Sequence, residues 1–161
     1  MTTLTILTPV YNRKDRIKDL FKSLTRQTNN DFQWLVIDDG SNDGTSSWFA
    51  DLNLETEKFQ IDYYYKENGG KHTALNFSHP YIKGKYVTVV DSDDILIPTA
   101  VDEIIKYWNK YQNKSLQIGS IVFQKGNRKT GESFDKTIHG EYVTTTLREI
   151  NRGIEIGRAH V

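Results

Sequence analysis

The chain has 161 residues, the length of one domain. A hydrophobic content of 37% with 12% aromatics supports a buried core and excludes a disordered chain. The 21 basic and 21 acidic residues cancel to a formal net charge of zero, so no global field selects nucleic acid or an anionic membrane, and with no cysteine there is neither a disulfide framework nor a thiolate metal site.

Met1-Thr2-Thr3-Leu4 enters a strand pattern directly, with no signal peptide, and no apolar stretch approaches the roughly 20 residues that span a bilayer. Leu4 to Thr8 is a short β-rich run expected to end at Pro9, with Tyr11-Asn12-Arg13 as the turn. Ile17, Leu20, Phe21 and Leu24 then recur at helical spacing. Phe32 to Ile37 reads as a second strand ending in Asp38-Asp39, followed by the turn Gly40-Ser41-Asn42-Asp43-Gly44 and a helix carrying Trp48, Phe49 and Leu52, with Thr45 or Ser46 as its expected cap. A third strand lies near Ile61 to Tyr65, where Tyr63, Tyr64 and Tyr65 are expected to pack on both faces of a sheet rather than to form a stacking surface. Next come Glu67-Asn68-Gly69-Gly70-Lys71-His72 and a short helix through Ala74, Leu75 and Phe77, stopped before Pro80.

Tyr86 to Val90 is an apolar, β-branched run that stops in Asp91-Ser92-Asp93-Asp94. It reads as a buried strand whose carboxyl end delivers charge to a cleft. Crowded carboxylates repel and invite a cation. Two readings stand: a hard divalent ion bridging to phosphate oxygens, or an Asp-rich loop serving solubility and helix capping. Pro98 is expected in the first turn of a helix with its stripe at Val101, Ile104, Ile105 and Trp108. Ile118 to Phe123 looks like a fifth strand, and residues 124–150 suggest at most a hairpin.

The order β-α-β-α-β-α-β-α-β predicts an α/β sandwich around a mostly parallel sheet. Ligands in such sheets bind beyond the carboxyl ends of the strands. Thr8-Pro9-Val10-Tyr11, Asp38-Asp39, Asn68-Gly69-Gly70-Lys71 and Asp91-Ser92-Asp93 all fall at those ends. Asp39 to Gly44 also imitates the start of a calcium loop. Its twelfth position is Ala50, where a bidentate glutamate is required, so calcium binding is rejected.

Thr8-Pro9-Val10-Tyr11-Asn12-Arg13, Val36 to Thr45, Asn68 to Asn76 and Asp91-Ser92-Asp93-Asp94, in that order, resemble glycosyltransferase family 2. The resemblance runs from residue 3 to about residue 125 and implies the GT-A fold, a Rossmann-like nucleotide-binding half joined to an acceptor-binding half. It implies that Thr8 and the Pro9 backbone touch the nucleoside and that Tyr11 stacks on the base, against the alternative of a turn residue packed on the first helix. Asp39 would read the base, accepting from the imide N–H of uracil and so favouring a UDP-sugar. Asp38 is expected to be structural. Lys71, beside two glycines, would meet a phosphate or stay solvated, and His72 is a helix-start residue. Asp91 would hold the ribose, directly or through the ion, and Asp93 would coordinate Mn²⁺ or Mg²⁺ at the diphosphate, with Asp94 behind.

The implied reaction is sugar transfer to an acceptor hydroxyl with inversion, which needs a general base. None is identified: Glu132, Asp135, Glu141 and Glu149 sit in no matching motif. The alternative is a metal-dependent nucleotide-sugar-binding fragment without turnover. A nucleotidyltransferase is weaker still, since Pro9-Val10-Tyr11-Asn12 is no glycine-rich phosphate loop. Partners are a nucleotide-sugar and a glycan or lipid-linked acceptor, in cell-surface polysaccharide assembly. The expected location is the cytoplasm, with peripheral attachment to the inner membrane face as an option. Glu155 to Val161 lacks apolar periodicity, and its back-translation GAG ATC GGA AGA GCA CAC GTC matches a common sequencing-adapter read. Residues 1–154 are therefore expected to be an incomplete donor-binding domain and 155–161 a non-native tail, leaving Arg158 and His160 without function.

Overall fold

The order of elements follows the hydrophobic periodicity closely. In the computed structural model, which describes residues 2–52 and 58–112, the elements are β1 (Leu4–Val10), α1 (Lys14–Leu24), β2 (Phe32–Asp39), α2 (Thr45–Ala50), β3 (Gln60–Lys66), α3 (Lys71–Ser78), a 3₁₀ turn (His79–Tyr81), β4 (Tyr86–Val89) and α4 (Ala100–Gln112). The chain divides into units Met1–Asp102 and Glu103–Val161. Of the second, the structure describes Glu103–Gln112, the remainder of α4. The expected fifth strand at 118–123, the hairpin within 124–150, the four unassigned acids Glu132, Asp135, Glu141 and Glu149, and the tail 155–161 all lie outside the described residues.

The first unit holds a four-stranded sheet of order β3-β2-β1-β4, with each neighbouring pair parallel. Leu7 pairs with Leu35, Val10 with Asp38, and Asp39 with Lys66. Every residue of β2 is buried, as expected for a parallel strand covered on both faces. On one face Trp34 stacks on Phe21 from α1 (5.8 Å) and meets Phe49 from α2 (5.5 Å), and Phe49 stacks on Tyr63 (4.5 Å). On the other, Leu7, Leu35 and Ile37 enclose Ala74 of α3, with Tyr64, Leu75, Phe77 and Tyr81 against them. The tyrosine run of β3 therefore alternates between faces, as strand geometry requires. Tyr63 packs on Phe49, Tyr64 stacks on Tyr81 at 3.8 Å, and Tyr65 is exposed.

Four expectations need correction. Pro9 does not end β1, which runs on to Val10. The Leu7 carbonyl accepts from Val90 N (3.0 Å) on the β4 side. Two residues on, the Pro9 nitrogen faces that same side, past the end of β4, so no ladder bond is lost. Neither Thr45 nor Ser46 caps α2: Gly44 stands at the N-cap with φ 85°, and the cap is made by Asp43. Pro98 lies two residues before α4, where its carbonyl accepts from Thr28 N (2.9 Å). Finally, β4 is not buried on both faces. It is the outer strand of the described sheet, with Val87 and Val89 exposed.

Candidate functional site

Every loop that carries chemistry in the first unit leaves the carboxyl end of a strand. The first of them, Tyr11 to Arg13, is tied to the loop after β2. Asn12, at φ 49°, donates its N–H to Ser41 Oγ (2.9 Å) and accepts at Oδ1 from Asn42 N (2.8 Å). Asp43 caps two helices at once. Its Oδ2 accepts from Lys14 N at the start of α1 (2.8 Å), and its Oδ1 accepts from the N–H (3.1 Å) and hydroxyl (2.6 Å) of Thr45 at the start of α2. Partial desolvation pushes the Asp43 carboxyl up, but the bonds from the Thr45 hydroxyl and from the Lys14 and Thr45 N–H groups outweigh it and hold the group below the usual range. The calcium-loop imitation is thus a loop-and-helix clamp, flanked by a strand and a helix.

The two acids ending β2 do different work. Asp38 is fully buried and accepts from Ser41 N (2.7 Å) and the Tyr63 hydroxyl (2.5 Å). Burial, then the bond to Asp38, pushes the Tyr63 hydroxyl well above the ordinary tyrosine range. Asp39 points to the opposite face. Its Oδ1 accepts from Lys66 Nζ (2.5 Å) and Gly69 N (3.0 Å), and its Oδ2 accepts from Gly70 N (2.7 Å). Burial pushes this carboxyl up too, but the Lys66 hydrogen bond, the two glycine N–H groups and the Lys66 charge hold it below the usual range. The Asp39 carbonyl also accepts from Asn68 Nδ2 (2.9 Å). A Cβ on Gly40 would lie 2.8 Å from Asn68 N, and one on Gly69 would lie 2.7 Å from Thr73 Oγ1. Gly40 therefore serves close packing of the β2 loop on Asn68, and Gly69, where the sequence suggested close backbone approach, packs against Thr73 of α3.

Lys71 opens α3 and reaches across to Asp91 Oδ1 at 2.5 Å. Arg13 NH1 lies 3.5 Å from Asp93 Oδ2. Both pairs are substantially solvated, with side-chain exposures of 55% and 39% for Lys71 and Asp91 and 53% and 52% for Arg13 and Asp93. Such pairs are worth about 0–1 kcal/mol each, so a more highly charged ligand can displace them. Among the described residues no three His, Cys, Asp or Glu side chains form a complete metal-holding group. The partly exposed Asp91 and the exposed Asp93, separated by Ser92, do suit a hard cation that takes its other oxygens from a phosphate ligand and water.

Thus Asp39, Lys71, Asp91 and Asp93 share one edge of the sheet, linked through Gly69-Gly70 and the Lys71–Asp91 pair. Tyr11 is half exposed beside them in the first loop. Pro9 is partly buried and His72 is the exposed second residue of α3. Thr8, expected to touch a nucleoside, is fully buried, with its Oγ1 accepting from Trp34 Nε1 (3.1 Å), and presents no exposed surface to a ligand. The sequence reading missed Arg13 and Lys66. Arg13 was legible as a cation in the loop after β1. Lys66 could be found only from its register with Asp39.

The first unit is thus a parallel α/β sheet with acids at the carboxyl end of β2 and just beyond that of β4. The model of glycosyl transferase family 2 matches residues 5–159, and the chain belongs to that family. A glycosyltransferase of Rickettsia conorii is 33% identical over 135 residues, covering 78% of this chain and 21% of that protein. The teichuronic acid biosynthesis glycosyltransferase TuaG of Bacillus subtilis is 32% identical over 91 residues, covering 56% of this chain and 36% of that one. Among solved structures, the mannosyltransferase PcManGT of Pyrobaculum calidifontis, in complex with GDP-Man and Mn²⁺, has a TM-score of 0.65 at 22% identity, over 76% of this chain and 35% of that one. S. aureus TarS 1-349 in complex with UDP-GlcNAc has a TM-score of 0.60 at 20% identity, over 76% of this chain and 38% of that one. These are GT-A structures, and the described sheet has their architecture. Across the relatives it matches, the chain spans between 15% and 37% of their length.

Proposed function

We propose that this chain is the donor-binding portion of an inverting, metal-dependent glycosyltransferase that takes a UDP-sugar and passes the sugar to an acceptor hydroxyl. The observation that carries the reading is the side-chain linkage of four separate segments at one sheet edge: Arg13 to Asp93, Asp39 to Gly69 and Gly70, and Lys71 to Asp91. Support also comes from the relatives, whose names describe sugar transfer, and from structural neighbours holding UDP-GlcNAc or GDP-Man.

In this reading Tyr11 stacks on the base, Asp39 accepts from a ring N–H, and the Pro9 backbone lines the nucleoside, with Thr8 buried behind it. Asp91 and Asp93 hold Mn²⁺ or Mg²⁺, with Asp91 also serving the ribose. When bound, the ion offsets charge that grows on the departing diphosphate. Lys71 leaves Asp91 for a diphosphate oxygen, exchanging one charged partner for another at little cost because its starting pair is solvated. The general base belongs to sequence outside the described residues. The same proposal includes a glycan or lipid-linked acceptor, a place in polysaccharide synthesis, for which the name of TuaG is the support, and a position in the cytoplasm or at the inner membrane face. No described helix is long and apolar enough to cross a membrane.

Titration calorimetry with UDP, with and without Mn²⁺, tests the site. Binding that requires Mn²⁺ and falls at least about tenfold in Asp93→Ala, the loss of a charged ligand contact, is expected. Equal UDP affinity in the variant removes Asp93 from the site.

A further inference from the structure

The Asp39 carboxylate is already mostly occupied. A carboxylate has about four in-plane acceptor positions, two per oxygen. Lys66 Nζ and Gly69 N fill both on Oδ1, and Gly70 N fills one on Oδ2, which leaves a single position. Lys66 is itself spent. Its ammonium has three donors, and these go to Asp39 Oδ1, the Glu67 carbonyl and Thr73 Oγ1 (3.0 Å). Thr73 in turn donates to the Gly70 carbonyl (2.9 Å). The Lys66 side chain is only 16% exposed, so it is no phosphate ligand in waiting.

We infer that Lys66 is a positioning residue that sets base selectivity: by saturating Oδ1 it limits Asp39 to one incoming N–H. Uracil presents one imide N–H between two carbonyls and matches a single acceptor. Guanine presents N1–H and N2–H side by side and gains fully only from a carboxylate with both oxygens open. The inference rests on the donor-site reading of Asp39.

The test is calorimetry in Mn²⁺ with three probes, UDP, GDP and inorganic pyrophosphate. The wild-type chain is expected to prefer UDP over GDP. In Lys66→Met the preference should fall by about tenfold, the scale of one hydrogen bond to a charged group, because an Oδ1 position opens. Pyrophosphate affinity should stay within about twofold, since Lys66 has no donor left for phosphate. Thr73→Val removes an anchor of Lys66 while keeping its charge, and should move the preference the same way by less. It also serves if Lys66→Met does not fold. An unchanged UDP-to-GDP preference in the folded variant overturns the inference. So does a parallel loss for all three probes, which would make Lys66 a mere support of the loop. Failure of the wild-type chain to bind either nucleotide overturns the donor-site reading as well.

Discussion

The buried hydroxyl of Thr8 separates two roles that the sequence could not. Thr8→Val keeps side-chain volume and β-branching and deletes only the acceptor of Trp34 Nε1, which lies 3.1 Å away in a pair with 0% exposure on both sides. An indole N–H buried without a partner costs about 1–3 kcal/mol. Repacking offers no escape, because Trp34 is held between Phe21 at 5.8 Å and Phe49 at 5.5 Å. The urea midpoint should therefore drop by an amount equivalent to about 1–3 kcal/mol at unchanged m. Mn²⁺-dependent UDP affinity, measured well below that midpoint, should match the wild type, because the hydroxyl faces Trp34. An unchanged urea midpoint together with a large loss of UDP affinity would refute this assignment and return the hydroxyl to the nucleotide.

Two further predictions concern the frame of the site. Asp43→Ala removes the cap of α1 and of α2 together, at about 1 kcal/mol per cap, so about 2 kcal/mol is expected in urea unfolding. Because the folded pKa of Asp43 lies below its unfolded value of 3.8, its contribution is complete above that value and is lost as pH falls through the folded pKa. The gap between wild type and Asp43→Ala should accordingly be constant near neutrality and narrow as the pH falls through the acid range; a gap independent of pH would contradict the assignment. Gly84→Ala would set a Cβ 2.4 Å from Thr5 N and 2.6 Å from Leu4 C, backbone atoms of a central strand that cannot yield. A loss of about 1–3 kcal/mol or more is expected from overpacking, and wild-type stability would show that the turn has another way in.

The sheet and its helices were legible because apolar periodicity is a local property. Ile17, Leu20 and Leu24 announce α1 and are buried as their spacing demands. The run Phe32 to Ile37, apolar but for Gln33, announces β2, which the structure covers on both faces. Asp38 was readable as structural and Asp91 and Asp93 as acids at a strand end. Misreadings came where a residue's role depends on what lies across from it. Pro9 reads as a strand breaker until the short reach of β4 beside it is known. Thr45 reads as a cap until Asp43 is seen doing that work.

Sequence alone determined the alternation of strand and helix, and with it the edge where polar loops must gather, because hydrophobic pattern and turn chemistry are written residue by residue. Tertiary structure decided the pairings: Arg13 with Asp93 across 80 positions, Lys71 with Asp91 across 20, and Lys66 with Asp39 across 27. Register sets Lys66 against Asp39, and the packing of neighbouring strands brings the other segments together beyond the strand ends, so no single stretch of chain contains these pairings.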